Sequence, residues 1–148
     1  MKIVKLFVFF YAVFGFSAFS AVVDLDSLNR DPAYVATIIV RSQKIVDKLN
    51  LPDPEVVLSV RNIIANRYFE LNDIYEKRDQ ALKALVDNSM LSAEQKNAER
   101  ERIANEKDAA LYRTHFAFPA NLSLFLTCEQ IDTVKDGMTY GVVKVTYD

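Results

Sequence analysis

Residues 53–87 read DPEVVLSVRNIIANRYFELNDIYEKRDQALKALVD, and the spacing of their apolar side chains decides the fold. Val57, Val60, Ile64, Leu71, Ile74, Leu82 and Leu85 recur at helical intervals, and Ile63, Tyr68, Tyr75 and Arg78 widen the stripe. Asp53-Pro54 is a start signal: a carboxylate to accept the first free N–H groups, then a ring that fixes φ where no N–H is needed. No Gly or Pro follows until about Asp87. At 1.5 Å per residue, some 33 residues make a rod of roughly 50 Å. So long a helix in so short a chain needs partner helices lying along it.

The same rules read outward in both directions. Upstream, Asp31-Pro32 repeats the start signal, and Val35, Ile38, Ile39, Ile45, Val46 and Leu49 keep helical spacing, predicting a helix over about 32–49 that breaks at 50–53. Ala21 to Arg30 has no periodicity and reads as a flexible leader. Downstream, residues 87–91 form a turn, and Ser92-Ala93-Glu94-Gln95 is a capping box in which Ser92 and Gln95 each satisfy the other's backbone N–H. The helix that follows is charged from Lys96 to Asp108, with Glu99–Arg102 and Arg102–Glu106 at ion-pair spacing and a thin apolar stripe of Ile103, Ala104, Ala110 and Leu111. Such a run is a solvated face. Pro119 predicts a kink or break, with Ala120 to Leu126 continuing at a new angle. Thr127-Cys128-Glu129-Gln130 is a second capping box, with Leu126 placed to staple onto Ile131. The last helix carries Ile131, Val134 and Met138 and stops at Gly137 or shortly after, Gly137 serving as a positive-φ terminator. Thr139 to Tyr147 alternates as a short strand or extended tail. The expected architecture is all-α: an elongated antiparallel helical bundle or hairpin with a short extended C-terminal segment, in one helical domain over 31–148.

Residues 1–20 differ in kind. Lys2 and Lys5 precede an unbroken apolar run from Leu6 to Phe16, followed by small residues at Ser17, Ala18, Ser20 and Ala21. That order is the layout of a secretory signal peptide, and the run is too short for a transmembrane helix, which needs roughly 20 apolar residues. Ala18 and Ser20 suit the −3 and −1 positions, placing cleavage after Ser20. The mature chain is expected to carry no transmembrane segment. Loss of Lys2 and Lys5 moves the net charge from −2 to −4. A mildly acidic chain of mixed signs is a poor polyanion binder, so nucleic acid is not an expected partner.

The chemistry-bearing residues are few. One cysteine, Cys128, permits no internal disulfide, and Cys128 with the single histidine, His115, cannot supply a zinc site. Neither sits in a nucleophile motif. Asp132 and Asp136, one helical turn apart, are the best acid–base pair, but solvated carboxylates on a short helix are the ordinary case. No glycine-rich phosphate loop is present. No catalytic residue, metal or cofactor is therefore assigned. The turn from helix to extended chain, bounded by Gly137 and Gly141, offers Asp136, Thr139 and Tyr140 as candidate binding residues. The competing reading is structural, with Met138 and Tyr140 plugging the end of the bundle.

The run Lys135-Asp136-Gly137-Met138-Thr139-Tyr140-Gly141-Val142-Val143, ending Val145-Thr146-Tyr147, resembles the marker segment of an uncharacterised family of secreted bacterial proteins, domain of unknown function 3826. The resemblance extends back through Leu126-Thr127 and Arg61 to Asp79. It implies export to the periplasm or cell surface and, because such proteins often sit near polysaccharide-degrading enzymes, a glycan-related ligand or an envelope protein as partner. Two departures stand out: Cys128 where the family usually has Pro, and a chain that ends short of the family's usual length. Leu126-Thr127-Cys128-Glu129-Gln130, and more loosely Leu91-Ser92-Ala93-Glu94-Gln95, resemble the Leu-Thr-x-x-Gln motif of small periplasmic chaperones and stress sensors. The motif is also what a capping box with a leading staple requires of any helix. Sequence alone thus leaves a binding module ahead of a chaperone and of a glycan-active enzyme. Without Trp, sugar stacking would fall to Tyr68, Tyr75, Tyr140 and Tyr147, although the spacing of the first two fits core packing as well. Mass spectrometry of the exported protein should give an N-terminus at Ala21; an intact Met1 in the envelope fraction would overturn the signal-peptide reading.

Overall fold

The computed structural model describes residues 22–139. Four helices follow one another: α1 (Pro32–Val46), α2 (Pro54–Asp87), α3 (Ala93–Leu122) and α4 (Cys128–Met138). The sequence patterns place these helices correctly, and the described part of the chain is an all-α bundle. Its local start signals work as chemistry predicts. Asp31 accepts from Tyr34 N at 2.8 Å, and Asp53 accepts from Glu55 N at 2.9 Å. Ser92 with Gln95, and Thr127 with Gln130, form complete reciprocal capping boxes. Each such cap is worth about 1 kcal/mol. After Val46 the chain tightens into a 3-10 turn, Asp47–Leu49, and Asn50 closes it in the left-handed region at φ 50°. The extended segment expected over 139–147 lies, apart from Thr139, outside the described residues.

α2 is the spine, and its two halves differ. Ser59, Val60, Asn62, Ile63, Ile64, Ala65 and Phe69 are buried, whereas beyond Phe69 only Leu85 is. Around the first half, Ile45, Val46 and Leu49 from the end of α1, Leu122 and Leu126 from the end of α3, and Ile131 and Val134 from α4 close over Val60 and Ile64. Ile38 joins Ala65 and Phe69 in a neighbouring cluster, with Tyr68 packed against both. Full burial of each such side chain contributes about 1.5–3 kcal/mol. Past Phe69 the partner is α3, whose only buried residues are Ile103 and Leu122, so the far part of the hairpin is half-wet. The charged face of α3 is solvated and carries Arg102 between Glu99 and Glu106.

Residues 22–30, expected to be a flexible leader, have no regular secondary structure but are tied to α2 as a strap. Two amides one helical turn apart bind its backbone: Asn62 Nδ2 donates to Val23 O at 2.7 Å, and Asn66 Nδ2 donates to Asp24 O at 2.8 Å while its Oδ1 accepts from Asp26 N at 2.8 Å. Val23 N donates to Ser59 Oγ at 3.3 Å. Val23 and Leu25 pack on the two core clusters. Arg30 fastens the far end. Its Nη1 and Nη2 donate to the two oxygens of Asp73 at 2.7 Å each, its Nε donates to Asp26 O at 2.8 Å, and its guanidinium lies 4.6 Å from the Phe69 ring centre. The hydrogen bonds to Asp73 raise the Arg30 pKa above its ordinary value, so the cation persists at any ordinary pH.

Two expectations about helix ends are corrected. α3 does not break at Pro119 but runs on to Leu122, where the chain turns rather than continuing helically to Leu126. Pro119 withholds the N–H that would bond the carbonyl of His115 one turn earlier, yet the helical conformation persists through it. Gly137 does not terminate α4 with positive φ; it lies inside the helix, and Thr139 is the C-cap at φ −99°. Its smallness serves packing instead. A Cβ at Gly137 would meet Ile45 Cγ2 at 3.1 Å and Cγ1 at 3.2 Å. Ile45 is buried and β-branched, hence stiff. Gly137→Val should therefore lower stability by about 1–3 kcal/mol in urea unfolding; an unchanged midpoint would contradict the close seating of α4 on α1.

Candidate functional site: the cleft between the two long helices

A concavity between the middle of α2 and α3 follows from the poverty of α3 in large apolar side chains. Where α3 faces the middle of α2 it presents Ala110, Thr114 and Ala117, too short to reach across, and a cleft of about 660 Å³ remains. Val23 and Asp26 of the strap form part of its wall, so the strap helps define the site. The floor is apolar, from Ile63, Ile74 and Phe118, and the walls are polar, with Asn66, Arg67, Glu70 and Asp73 on α2 and Arg113, Thr114 and Asn121 towards the other side. Arg67 bridges the two walls. Its Nη1 donates to Thr114 Oγ1 and to Glu70 Oε2 at 2.6 Å each, its guanidinium lies 5.9 Å from the Phe118 ring centre, and its side chain is only 11% exposed. Thr114 Oγ1 in turn donates to Leu111 O at 3.1 Å. A fixed guanidinium, two amides and a hydroxyl over an apolar floor make a preformed surface for a polar ligand.

A second, smaller cavity of about 340 Å³ continues the cleft towards the hairpin tip, sharing Ile74, Lys77, Ala110 and Arg113 with the first. The two form one groove along the hairpin, with Lys77 and Arg113 at its waist. On α3, Tyr112 and Phe116 meet edge to face at 5.6 Å and are mostly exposed, and His115 packs edge-on against Phe116 at 5.1 Å.

The residues singled out from sequence fall elsewhere. Asp136 and Thr139 meet at the end of α4, where Thr139 caps the helix: its hydroxyl donates to Lys135 O at 3.0 Å and to Asp136 O at 3.2 Å. Asp136 Oδ1 is buried without a hydrogen-bond partner among the described residues. Tyr140, Gly141 and Tyr147 lie outside the described residues. Asp132 accepts from Lys135 Nζ at 3.1 Å and is exposed. Cys128 is an exposed free thiol at the first position of α4. The two tyrosines of α2 part company: Tyr68 joins the core, and Tyr75 stays 41% exposed with Arg78 4.9 Å from its ring centre. Among the described residues no three His, Cys, Asp or Glu side chains gather as a metal site, and no helix is long and apolar enough to cross a membrane.

Sequence reasoning missed the cleft. Its signal was available as the amides Asn62 and Asn66 on an otherwise apolar face and as the alanines of α3, but these show their meaning only once the helices are paired. Fold and site together define an all-helical protein with a long α2–α3 hairpin and a strap-walled groove. The chain belongs to the family described as "Protein of unknown function (DUF3826)", which matches residues 35–148. The match begins inside α1, so the strap and Arg30 precede it. No curated protein matches the chain.

Proposed function

We propose that the mature chain is an exported, non-enzymatic binding module of the bacterial envelope that holds a hydroxyl-rich ligand of glycan type in the α2–α3 cleft. The cleft carries this reading. Asn121 and the N–H groups of Arg67 and Asn66 that the protein leaves spare offer polar contacts from both walls, Phe118 and Ile63 offer an apolar floor for the C–H face of a sugar ring, and alanines leave the room. A polar group rigidly placed before the ligand arrives loses little entropy on binding. The groove's length along the hairpin suits a linear oligomer more than a compact metabolite.

A chaperone or stress sensor is the alternative, and the exposed Tyr112–Phe116 pair is the observation in its favour. One ring pair is small beside the broad apolar surface that capture of unfolded clients demands. Both Leu-x-x-x-Gln stretches are engaged as helix caps, which accounts for their residue types without client binding.

Calorimetric titration of residues 21–148 with oligogalacturonate, galactan and arabinan fragments tests the proposal. Ala117 is exposed and lines the cleft, so Ala117→Trp should fill the space, abolish binding of any fragment that the unaltered chain holds, and leave the melting temperature within a few degrees. Undiminished binding by the Trp variant would move the site away from the cleft.

A further inference from the structure

We infer that the ligand of this cleft is anionic, and that Lys77 and Arg113 grip its carboxylate or sulfate group from opposite walls at the waist of the groove. The inference rests on the cleft being the binding site, as proposed above. It follows from following each charge to its partner. Among the charged groups lining the main cavity, Glu70 is paired with Arg67, and both Asp26 and Asp73 are bound by Arg30. Lys77 and Arg113 have no hydrogen bond or ion pair with any described residue, and helix geometry explains why.

On α2 the residues three and four positions from Lys77 are Asp73, Ile74, Gln80 and Ala81. The one acid among them, Asp73, has both oxygens taken by Arg30 at 2.7 Å. On α3 the corresponding neighbours of Arg113 are Ala109, Ala110, Phe116 and Ala117, and none is an acid. Same-helix pairing, the usual partner of an exposed cation, is thus closed to both. In the adjoining smaller cavity, Glu106 is bound by Arg102 and Lys107 pairs with Asp108. Two cations therefore face one groove from opposite helices with every nearby acid engaged elsewhere.

The chain's net charge is negative, which disfavours a polyanion spread over its surface. Two cations so placed nonetheless attract an anion locally in the groove and reward one that presents two oxygens, since a guanidinium donates in a fork and an ammonium as a point charge. The strap sets this polarity: by occupying Asp73 and Asp26, Arg30 leaves Lys77 without its same-helix acid. A carboxylate on a uronic acid and a sulfate ester on a sugar share the required chemistry.

The test uses residues 21–148 with three oligosaccharides of similar length: oligogalacturonate, the same oligomer with its carboxylates methyl-esterified, and a sulfated galactan fragment. At least one anionic oligomer should bind more tightly than the ester. That binding should weaken as salt rises, because both cations are exposed and screened. Lys77→Gln and Arg113→Gln should each lower the anionic affinity about tenfold, the worth of one charge-assisted hydrogen bond, while the ester's affinity and the melting temperature hold. Which anion is preferred distinguishes the carboxylate from the sulfate source. If the ester binds as tightly as the anions and the Gln variants change nothing, the charge inference is wrong and the cleft proposal stands. If no oligosaccharide binds at all, both fall.

Discussion

Between Ser59 and Phe69, α2 is covered by the end of α1, the strap, the end of α3, and Ile131 and Val134 of α4, a helix that itself seats on α1. This stretch supplies much of the deepest burial among the described residues, with Val60, Ile64, Ala65 and Phe69 shut away from solvent entirely. The constraint is geometric. α2 is far longer than α1 or α4, so elements that gather at one end of it cannot also cover the other. Stability concentrates where four elements meet, and the rest of the hairpin is left with one partner. A cleft between α2 and α3 is the direct consequence, since a pair of helices faced by alanines and bridged by Arg67 does not close without side chains to fill the gap.

The strap links stability to the character of the cleft. Its backbone hydrogen bonds fall to Asn62 and Asn66, polar groups that would be costly to bury on α2 without partners. Its terminal residue, Arg30, lies against Phe69 and neutralises carboxylates at the edge of the groove. A segment without secondary structure thereby covers core, builds wall and sets charge together.

What the sequence made legible was local. The caps at Asp31, Asp53, Ser92 and Thr127 act on N–H groups two or three residues away, and a reader of the sequence sees both partners at once. The strap's partners lie 36–43 residues downstream, and an aperiodic stretch such as 22–30 gives no sign of them. Gly137 illustrates a different limit. A glycine near a helix end reads as a terminator, but here the missing Cβ admits Ile45 of a helix some ninety residues earlier, a fact of packing rather than of backbone preference. Pro119 was legible as a disturbance, but the loss of one backbone hydrogen bond does not end the helix, which runs on to Leu122. The cleft was least legible of all. Alanines at 109, 110 and 117 on α3 look like ordinary helix formers until α2 lies opposite them.

Amide hydrogen exchange of residues 21–148 tests the central claim, that one end of the molecule carries its stability while the hairpin beyond it stays thinly supported. Amides of Val60 to Phe69 should exchange slowest, through global unfolding only; those of residues 93–102 should exchange much faster through local opening, and the strap amides of Val23 and Asp26 should be clearly protected. Uniform protection along α2 and α3, or strap amides exchanging as freely as in an unfolded chain, would contradict it.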